Sequence, residues 1–431
     1  MKKNFIYAAA AALIFAASPA FAQKTGVAVV DQSGTTHQAS INQTLGRGHD
    51  ARIEQSGFFQ EADIDQIGGR HNDAYIDQEG WGNDAYIDQY GGRRNDAFID
   101  QDGSFNEGDI EQYGGRGNDA TIYQDGLGNR AWIDQVGGED NDATIDQDDY
   151  GFLNDASINQ VGGEDNDAEI NQYGFLSSGN DARIDQIGGD DNEAEINQSG
   201  WSNDAYIMQD GGRYNEAAIS QAGLSNEAEV YQTGGRFNDV DVDQIGSDND
   251  AYVSQMGGFN NDTWIDQTGD DNNAYVVQLY GGNNEADIET TGDNNTALVG
   301  QSGWYNDANI NQNGDNNIAA IGQLGNGNDA TINQTSNYTL AGVLQVGNHN
   351  DATINQSGRL TAAGIAQFGD SHEATINQGG FLNAAGVLQT GYNHTATINQ
   401  GGAGNAALIG QSGSGHTATI NQTGFGGVII Q

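Results

Sequence analysis

The chain has 431 residues and a formal net charge of −47 at pH 7, because 61 aspartates and glutamates stand against only 14 lysines and arginines. This balance excludes nucleic-acid phosphate as a partner, since proteins bind phosphate backbones through many cationic side chains. The chain has no cysteine, which excludes a fold held by disulfides, and its 64 glycines against one proline favour strands separated by turns.

The first segment has the pattern of a secretory signal peptide. Two lysines are followed by an apolar stretch over 5–17 and by small residues around a cleavage position at 20–22. We therefore predict a signal peptide at 1–22, which leaves a single exported domain at 23–431. The apolar stretch is shorter than the ~20 residues of a transmembrane helix. No later segment is comparable, so we expect a protein that does not span a membrane.

The rest of the chain is one internal repeat. Each unit has the pattern Gln-x-Gly-x(2,3)-Asn-x-Ala-x-Ile-x-Gln, and 35 consecutive units run from Gln32 to Gln422. Isoleucine or valine lies two residues before the closing glutamine in all 35, and that glutamine is replaced once, by Thr290. Such constancy excludes a disordered acidic chain. Two consecutive units supply the first predicted ladder positions, Gln78, Gly80, Asn83, Ala85, Ile87, Gln89, Gly91, Asn95, Ala97, Ile99 and Gln101.

The spacing of the glutamines divides the array into two parts. Up to Gln301 the interval mostly alternates between eleven and twelve positions, and it is longer in places between Gln147 and Gln198. After Gln301 every interval is eleven. The charge changes at the same place, because 55 acidic residues lie in 23–300 and six in 301–431. We expect about 18 coils in one array, of which the near-neutral part nucleates self-association most readily.

Alternation within each unit predicts β-strands. Asn, Ala, Ile and Gln occupy every second position, so one face of the strand is small and apolar with amides at its ends, and the other face is polar. Two units form a double unit of twenty-two or twenty-three positions, and its two strands, joined by turns that the glycine after each glutamine supplies, make one coil. We predict an all-β fold, a β-solenoid of stacked strand-turn-strand coils with two parallel, in-register sheets.

Stacking gives the buried amides their hydrogen-bond partners. Each inward Asn or Gln donates to the next coil and accepts from the one before, so that a ladder satisfies itself. Each buried Ile or Val adds about 1.5–3 kcal/mol to the stability of the fold. In the strictly periodic part, the predicted ladder positions are Ile310, Gln312, Ile332, Gln334, Ile354 and Gln356.

Both ends of such a solenoid carry strand edges with unpaired backbone groups. The repeat begins within ten residues of the predicted cleavage site, and 426–431 form one more apolar strand, without a capping helix or a proline in the pattern. The sequence therefore predicts open ends that stack end to end on further copies of the chain.

The unit Gln78-x-Gly80-x-x-Asn83-x-Ala85-x-x-x-Gln89 resembles the repeat of the curli subunits, which are bacterial amyloid-fibre proteins. The resemblance extends from Gln32 to the C-terminus. It implies a secreted, extracellular protein on the bacterial cell surface, a structural subunit of a fibre (fimbrium) that serves cell adhesion and the biofilm matrix. It also implies self-association into fibres, with dedicated export and nucleation proteins as partners.

A second class of protein stays open, a monomeric surface adhesin or binding solenoid. Outward threonines recur once in every double unit of the strictly periodic part and alternate with asparagines, which is similar to an ice-binding array. They are Thr331, Thr353, Thr375, Thr397 and Thr419. Cross-strand pairing of threonines explains the same pattern more simply. A fibre subunit is expected to seed fresh monomer, whereas a capped binding solenoid is not.

No cofactor is expected, with a divalent cation such as calcium as the alternative. The acidic loops at 163–167 and 189–192 offer oxygen ligands but lack the spacing of known calcium repeats. His372, His394 and His416 occupy the inward asparagine position, where hydrogen-bonded replacement of asparagine explains them better than metal binding. Carboxylate pairs occur throughout, and no nucleophile, zinc or phosphate-loop motif is present, so the sequence predicts a protein that is not an enzyme.

Overall fold

Strands make up the structure because every unit of the repeat alternates inward and outward residues. The computed structural model describes residues 26–147 and 151–431, excluding the side chains of 175–177, and the predicted signal peptide at 1–22 lies outside these residues. The described residues form 36 β-strands. They contain no helix that is long and apolar enough to cross a membrane. The prediction of an all-β fold is confirmed.

Odd-numbered strands form one parallel sheet and even-numbered strands form the other, with 18 strands in each. The chain crosses between the sheets at every connection, here called an arch, and each strand pairs with the strands two places away in the sequence. The first sheet consists of β1 (Val27–Thr35), β3 (Asp50–Phe58), β5 (Asp73–Trp81), β7 (Asp96–Ser104), β9 (Asp119–Leu127), β11 (Asp142–Gln147), β13 (Asp167–Ser178), β15 (Glu193–Trp201), β17 (Glu216–Leu224), β19 (Asp239–Ser247), β21 (Asp262–Asp270), β23 (Glu285–Thr291), β25 (Asp307–Asn313), β27 (Asp329–Gln334), β29 (Asp351–Gln356), β31 (Glu373–Gln378), β33 (Thr395–Gln400) and β35 (Thr417–Gln422).

The second sheet faces the first across the apolar core. Its strands are β2 (Gln38–Thr44), β4 (Glu61–Ile67), β6 (Asp84–Tyr90), β8 (Glu107–Tyr113), β10 (Arg130–Val136), β12 (Asp155–Val161), β14 (Asp181–Ile187), β16 (Asp204–Asp210), β18 (Glu227–Thr233), β20 (Asp250–Met256), β22 (Asn273–Gly282), β24 (Thr296–Trp304), β26 (Ile318–Asn326), β28 (Leu340–Asn348), β30 (Ala362–Asp370), β32 (Ala384–Tyr392), β34 (Ala406–Ser414) and β36 (Val428–Ile430).

Pairing is parallel and in register, so each residue stacks on its counterpart in the next coil. Between β5 and β7, for example, Ile76 pairs with Ile99 and Gln78 with Gln101. The inward Ala and Ile columns are buried along nearly the whole array and form one continuous core. The prediction of a β-solenoid with two parallel, in-register sheets is confirmed.

The longer intervals in the repeat are absorbed by the arches. Gln160 follows Gln135 by two positions more than Gln135 follows Gln112, yet the side chains of both pairs are hydrogen-bonded at 2.8 Å. Between β13 and β15 the register shifts from Tyr173 to Ser178, beyond the inward positions of the strand. Insertions therefore change the outline of a coil and leave its buried columns aligned.

The glycine after each glutamine has two different roles. Gly91 lies in the arch between β6 and β7 and supplies a turn with a φ of 75°, as the sequence predicts. The same expectation is wrong for Gly80, which lies within β5, with a φ of 107°. A Cβ atom on Gly80 would lie 2.0 Å from the carbonyl oxygen of Gly103 in the next coil. Glycine is required there because the backbones stack too closely for any side chain.

We expect replacement of Gly80 by alanine to destabilise the coils around β5 and β7 by more than about 2 kcal/mol, because it adds a backbone clash to an unfavourable φ. Gly114→Ala is the matched control, since Gly114 also has a positive φ of 75° but has nothing within 4 Å of an added Cβ. Gly114→Ala should reduce the stability of the surrounding coils by only about 1 kcal/mol. Hydrogen exchange measures both effects, at the β5 and β7 amides for Gly80→Ala and at the β8 and β9 amides for Gly114→Ala. Equal changes in the two variants would contradict the role of the clash.

Candidate functional site: amide ladders and solenoid ends

Glutamine side chains form a continuous hydrogen-bonded ladder inside the second sheet. The Nε2 of Gln66 donates to the Oε1 of Gln89 at 2.7 Å, and Gln89 donates in the same way to Gln112 at 2.7 Å. The ladder runs without interruption from Gln43 to Gln411. Every bond has the same direction, because the earlier coil donates and the later coil accepts.

The same amide groups also close the arches. Besides its ladder bond, the Nε2 of Gln89 donates to the backbone oxygen of Asn95 at 2.9 Å and to that of Asp73 at 3.2 Å. Asn95 in turn donates its side-chain Nδ2 to the oxygen of Gly114 at 2.6 Å, and its backbone N–H to the Oδ1 of Asn72 at 3.3 Å. Buried amides therefore satisfy each other and the arch backbone, which removes the cost of burying them.

The structure brings the residues of the predicted ladder together in columns. Ala85, Ile87, Ala97 and Ile99 are buried in the core, and Gln78 donates to Gln101 at 2.8 Å. In the strictly periodic part the inward isoleucines are buried and the glutamines are again bonded from coil to coil. These residues are Ile310, Ile332 and Ile354, with Gln312, Gln334 and Gln356. Asn83 differs from Asn95 in that its Nδ2 donates to the backbone oxygen of Glu79, in the strand that precedes its arch, at 2.9 Å.

The ladder of the first sheet has one break, at Thr290. It runs from Gln32 to Gln267 and resumes from Gln312 to Gln422. The Oγ1 of Thr290 and the Oε1 of Gln312 are buried without a hydrogen-bond partner among the described residues. The shorter threonine side chain cannot reach either neighbour, so two polar atoms are left unpaired at a cost in stability.

This break coincides with a change in the shape of the coil. The pairing of β22 with β24 shifts register between Leu279 and Gly281, where one extra residue, Tyr280, is accommodated within β22. Before this point the longer strands belong to the first sheet, and after it they belong to the second. The sequence analysis identified the substitution at position 290 but did not predict the break in the ladder or the change in the shape of the coil. The spacing of the repeat glutamines changes near the same position and could have indicated both.

Replacement of Thr290 by glutamine should restore the ladder and stabilise β23 and its neighbours by about 0.5–1.5 kcal/mol per hydrogen bond gained. Hydrogen exchange of the β21, β23 and β25 amides is the measurement, and exchange should become slower. Thr291→Gln is the control, since Thr291 is exposed on the same strand and its replacement adds no ladder bond. Faster exchange in Thr290→Gln would show that the coil has been shaped around the threonine.

Carboxylates stack on the outer faces as the buried residues stack inside. Asp88 pairs in register with Asp65 of the preceding coil and with Glu111 of the following one. Partial burial, together with these two carboxylates, raises the pKa of Asp88 to about 6. Burial and neighbouring acids likewise raise the pKa to about 6 at Asp109, Asp119, Asp167, Asp241 and Asp307.

These shifts predict that the acidic coils gain stability on acidification. A carboxyl group with a raised folded-state pKa stabilises the fold fully below its unfolded pKa, and that contribution is lost as the pH rises through about 6. Hydrogen-exchange protection in 26–300, corrected for intrinsic rates, should therefore increase from pH 7 to pH 4.5. Asp88→Asn, which is uncharged at both values, should reduce the increase around β6. A decrease in protection over this range would contradict the prediction.

The three stacked histidines act as replacements for asparagine. The rings of His372 and His394 are parallel, with centroids 5.1 Å apart, and the backbone N–H of His394 donates to the Nδ1 of His372 at 3.3 Å. The Nε2 of His394 lies 3.1 Å from the oxygen of Thr390. Burial, the first cause, lowers the pKa of His372 and so favours its neutral form. Both nitrogens of His394 face backbone atoms, since His416 donates its N–H to the Nδ1 at 3.1 Å.

One of the two acidic loops considered for calcium, at 189–192, contains carboxylates that contact arginine. Asp190 lies 3.1 Å from a guanidinium nitrogen of Arg213 in the next coil, and Asp191 lies 3.9 Å from another. Within the described residues there is no group of three or more His, Cys, Asp or Glu side chains arranged to hold a metal ion. Calcium binding at these loops stays a prediction.

At the two ends of the described solenoid, apolar side chains and strand edges are exposed that are covered by neighbouring coils in the middle. Val30 in β1 occupies the inward isoleucine position and is 43% exposed, whereas Ile53 in the next coil is fully buried. At the other end, Phe425 is 88% exposed and β36 is exposed along its length. No described strand pairs with the outer edge of β1 or of β35.

The amide ladders have a complementary group at each end. At the first end, the Oε1 atoms of Gln32 and Gln43 receive no hydrogen bond from a described residue, although their Nε2 atoms donate onward. At the second end, the Nε2 atoms of Gln411 and Gln422 have no glutamine acceptor among the described residues, although their Oε1 atoms accept from the coil before. In the first sheet, Gln32 therefore offers an acceptor and Gln422 offers a donor at matching positions, whereas in the second sheet β36 lies beyond the strand of Gln411 and ends before the glutamine column.

These features define the class of the protein, a parallel β-solenoid built from a single strand-arch-strand repeat and stapled by buried amide ladders. The chain belongs to the family of proteins built from the curlin associated repeat, whose model matches 14 overlapping segments. No curated protein matches the chain. The matched segments are 28–57, 61–91, 92–126, 115–148, 138–174, 189–223, 225–257, 235–269, 258–289, 280–303, 306–335, 347–380, 373–402 and 395–424.

Proposed function

We propose that this protein is a structural subunit of an extracellular, curli-like fibre, with roles in cell adhesion and the biofilm matrix. The fibre grows by stacking of solenoid ends, so that β35 of one copy pairs with β1 of the next. Membership of the curlin repeat family supports the fibre role, and the predicted signal peptide supports export. We assign no catalytic role, because the repeat is accounted for by structural contacts.

One observation carries this proposal, the match between the two ends. Gln422 in β35 presents an amide donor, and Gln32 in β1 presents an acyl oxygen in the same column of the coil. Stacking in one direction joins the first-sheet ladder through Gln422 and Gln32, and it pairs β35 with β1 and β36 with β2. It also covers the apolar residues exposed at each end. The contact between two copies then has the same character as the contact between two coils, which is the condition for a fibre.

Gln422→Glu tests the role of the end donors. The change keeps an oxygen that accepts from Gln400 but replaces the donor with a charged oxygen, which repels the acceptor of an incoming copy. Elongation of wild-type seeds by the variant, followed with an amyloid dye at pH 7, should be at least about tenfold slower than wild type. Thr291→Glu is the control, since it adds the same charge at an exposed residue of β23, away from both ends.

Elongation of the Gln422→Glu variant at the wild-type rate would contradict end stacking through the amide ladders. Seeding by the wild-type protein separates the fibre subunit from the alternative, a monomeric surface adhesin or ligand-binding solenoid. Seeds should convert fresh monomer at micromolar concentration, and a chain that stays monomeric in their presence would exclude the fibre function.

A further inference from the structure

The arginines of this acidic protein are concentrated on one edge of the solenoid. Six of its 11 arginines lie in a single column of arch residues that are connected from coil to coil by parallel bridges. We call this column, over nine consecutive coils, the charged edge. Its members in order are Arg47, Arg70, Arg93, Arg116, Glu139, Glu164, Asp190, Arg213 and Arg236.

Charges along this edge occur in blocks of one sign. Four arginines are followed by three acids and then by two arginines, at the ~4.8 Å spacing of adjacent strands. Where the sign changes, neighbours pair, since Arg116 contacts Glu139, and Arg213 lies 3.1 Å from Asp190. Within the described residues, Arg47, Arg70 and Arg93 are exposed and form no ion pair.

An unpaired stack of arginines is unfavourable by itself. Two like charges ~4.8 Å apart in water repel by about 0.9 kcal/mol, and the arginine block repeats this contact three times. The other faces carry many carboxylates, yet these arginines stay at the arch, away from them. The arrangement leaves a cationic stripe that a partner with carboxylates at the same spacing would neutralise.

A second copy of the chain has carboxylates at that spacing, because the same backbone pairing sets both. When two copies lie antiparallel, edge to edge, about a two-fold axis between the coils of Arg116 and Glu139, opposite signs face each other. Arg116 then faces Glu139, Arg93 faces Glu164, and Arg70 faces Asp190, each of them twice by symmetry. Only Arg47 and Arg213 face a like charge, and Arg213 is already paired with Asp190.

We propose that the charged edge is a self-complementary lateral interface between two copies of this protein. It joins solenoids side by side, whereas the ends join them along the axis. The interface is specific because the remaining faces carry mainly negative charge and repel one another, so that only the edge with blocks of both signs can come together.

Paired charge reversals test this proposal on the full-length soluble protein. The first variant carries Arg47→Glu, Arg70→Glu and Arg93→Glu, and the second carries Glu139→Arg, Glu164→Arg and Asp190→Arg. Sedimentation velocity should show that each variant alone dimerises at least about tenfold more weakly than wild type. An equal mixture of the two should recover association, because the acidic edge of one copy then faces the basic edge of the other.

The matched control is Arg52→Glu, Arg130→Glu and Arg183→Glu, which makes the same change in net charge at exposed positions away from the edge. It should dimerise as wild type does. Salt gives a second test, because screening weakens pairing of opposite charges but relieves the general repulsion of a chain with net charge −47. Wild-type dimers that become weaker in 1 M salt support the edge, and dimers that become stronger overturn it.

Two further outcomes would overturn the proposal. One is failure of the mixture to recover association. The other is loss of inorganic polyphosphate binding by the first variant while its self-association is unchanged, which would make the arginines a site for a polyanion. Seeded elongation is a separate readout. If the variants form fibres that grow at the normal rate but are narrower, the lateral interface is supported. If the protein dimerises but fibres do not elongate, the result counts against end stacking and leaves the lateral interface unaffected.

Discussion

Buried amides in a stacked array depend for their hydrogen-bond partners on the side chains and the backbone of the neighbouring coils. This constraint explains why one glutamine column runs from Gln43 to Gln411 without an exception. An amide that meets a shorter side chain leaves unpaired polar atoms inside the protein, as Gln312 does above Thr290. Histidine is tolerated in the asparagine column because the Nδ1 of His372 accepts the backbone N–H of the next coil as an asparagine oxygen would. The constancy of the repeat is thus a requirement of hydrogen bonding more than of shape.

The same stacking that stabilises the buried amides is unfavourable for the charged residues on the outer faces. Register that aligns amides inside also aligns carboxylates outside, so that Asp65, Asp88 and Glu111 form one column and repel. Each repulsion is smaller than the gain from one buried isoleucine, so the coil forms in spite of it. Burial and, after it, this repulsion raise the pKa of Asp88. The ends differ from the body of the solenoid in that Val30, in an inward column, and Phe425 are exposed there.

The proposed association along the axis and the proposed association from the side depend on different chemistry. The ends combine unpaired strand edges, amide donors on Gln422 and acceptors on Gln32, and such contacts depend little on salt. The charged edge has no exposed backbone to offer and depends on the sign and order of its side chains. Both surfaces repeat at the spacing of the strands, because parallel, in-register pairing stacks each residue on its counterpart in the next coil.

The sequence by itself determined the strands, the inward columns and the parallel register, because alternation and a fixed repeat leave only one way to bury Ala and Ile together with their amides. It could not determine that Gly80 lies within a strand, which depends on how closely the backbone of Gly103 approaches it. It also could not give the direction of the amide ladders, the effect of Thr290 on Gln312, or the arginine column. These features depend on which atoms the arches bring within hydrogen-bonding distance, and only the stacked tertiary structure decides that.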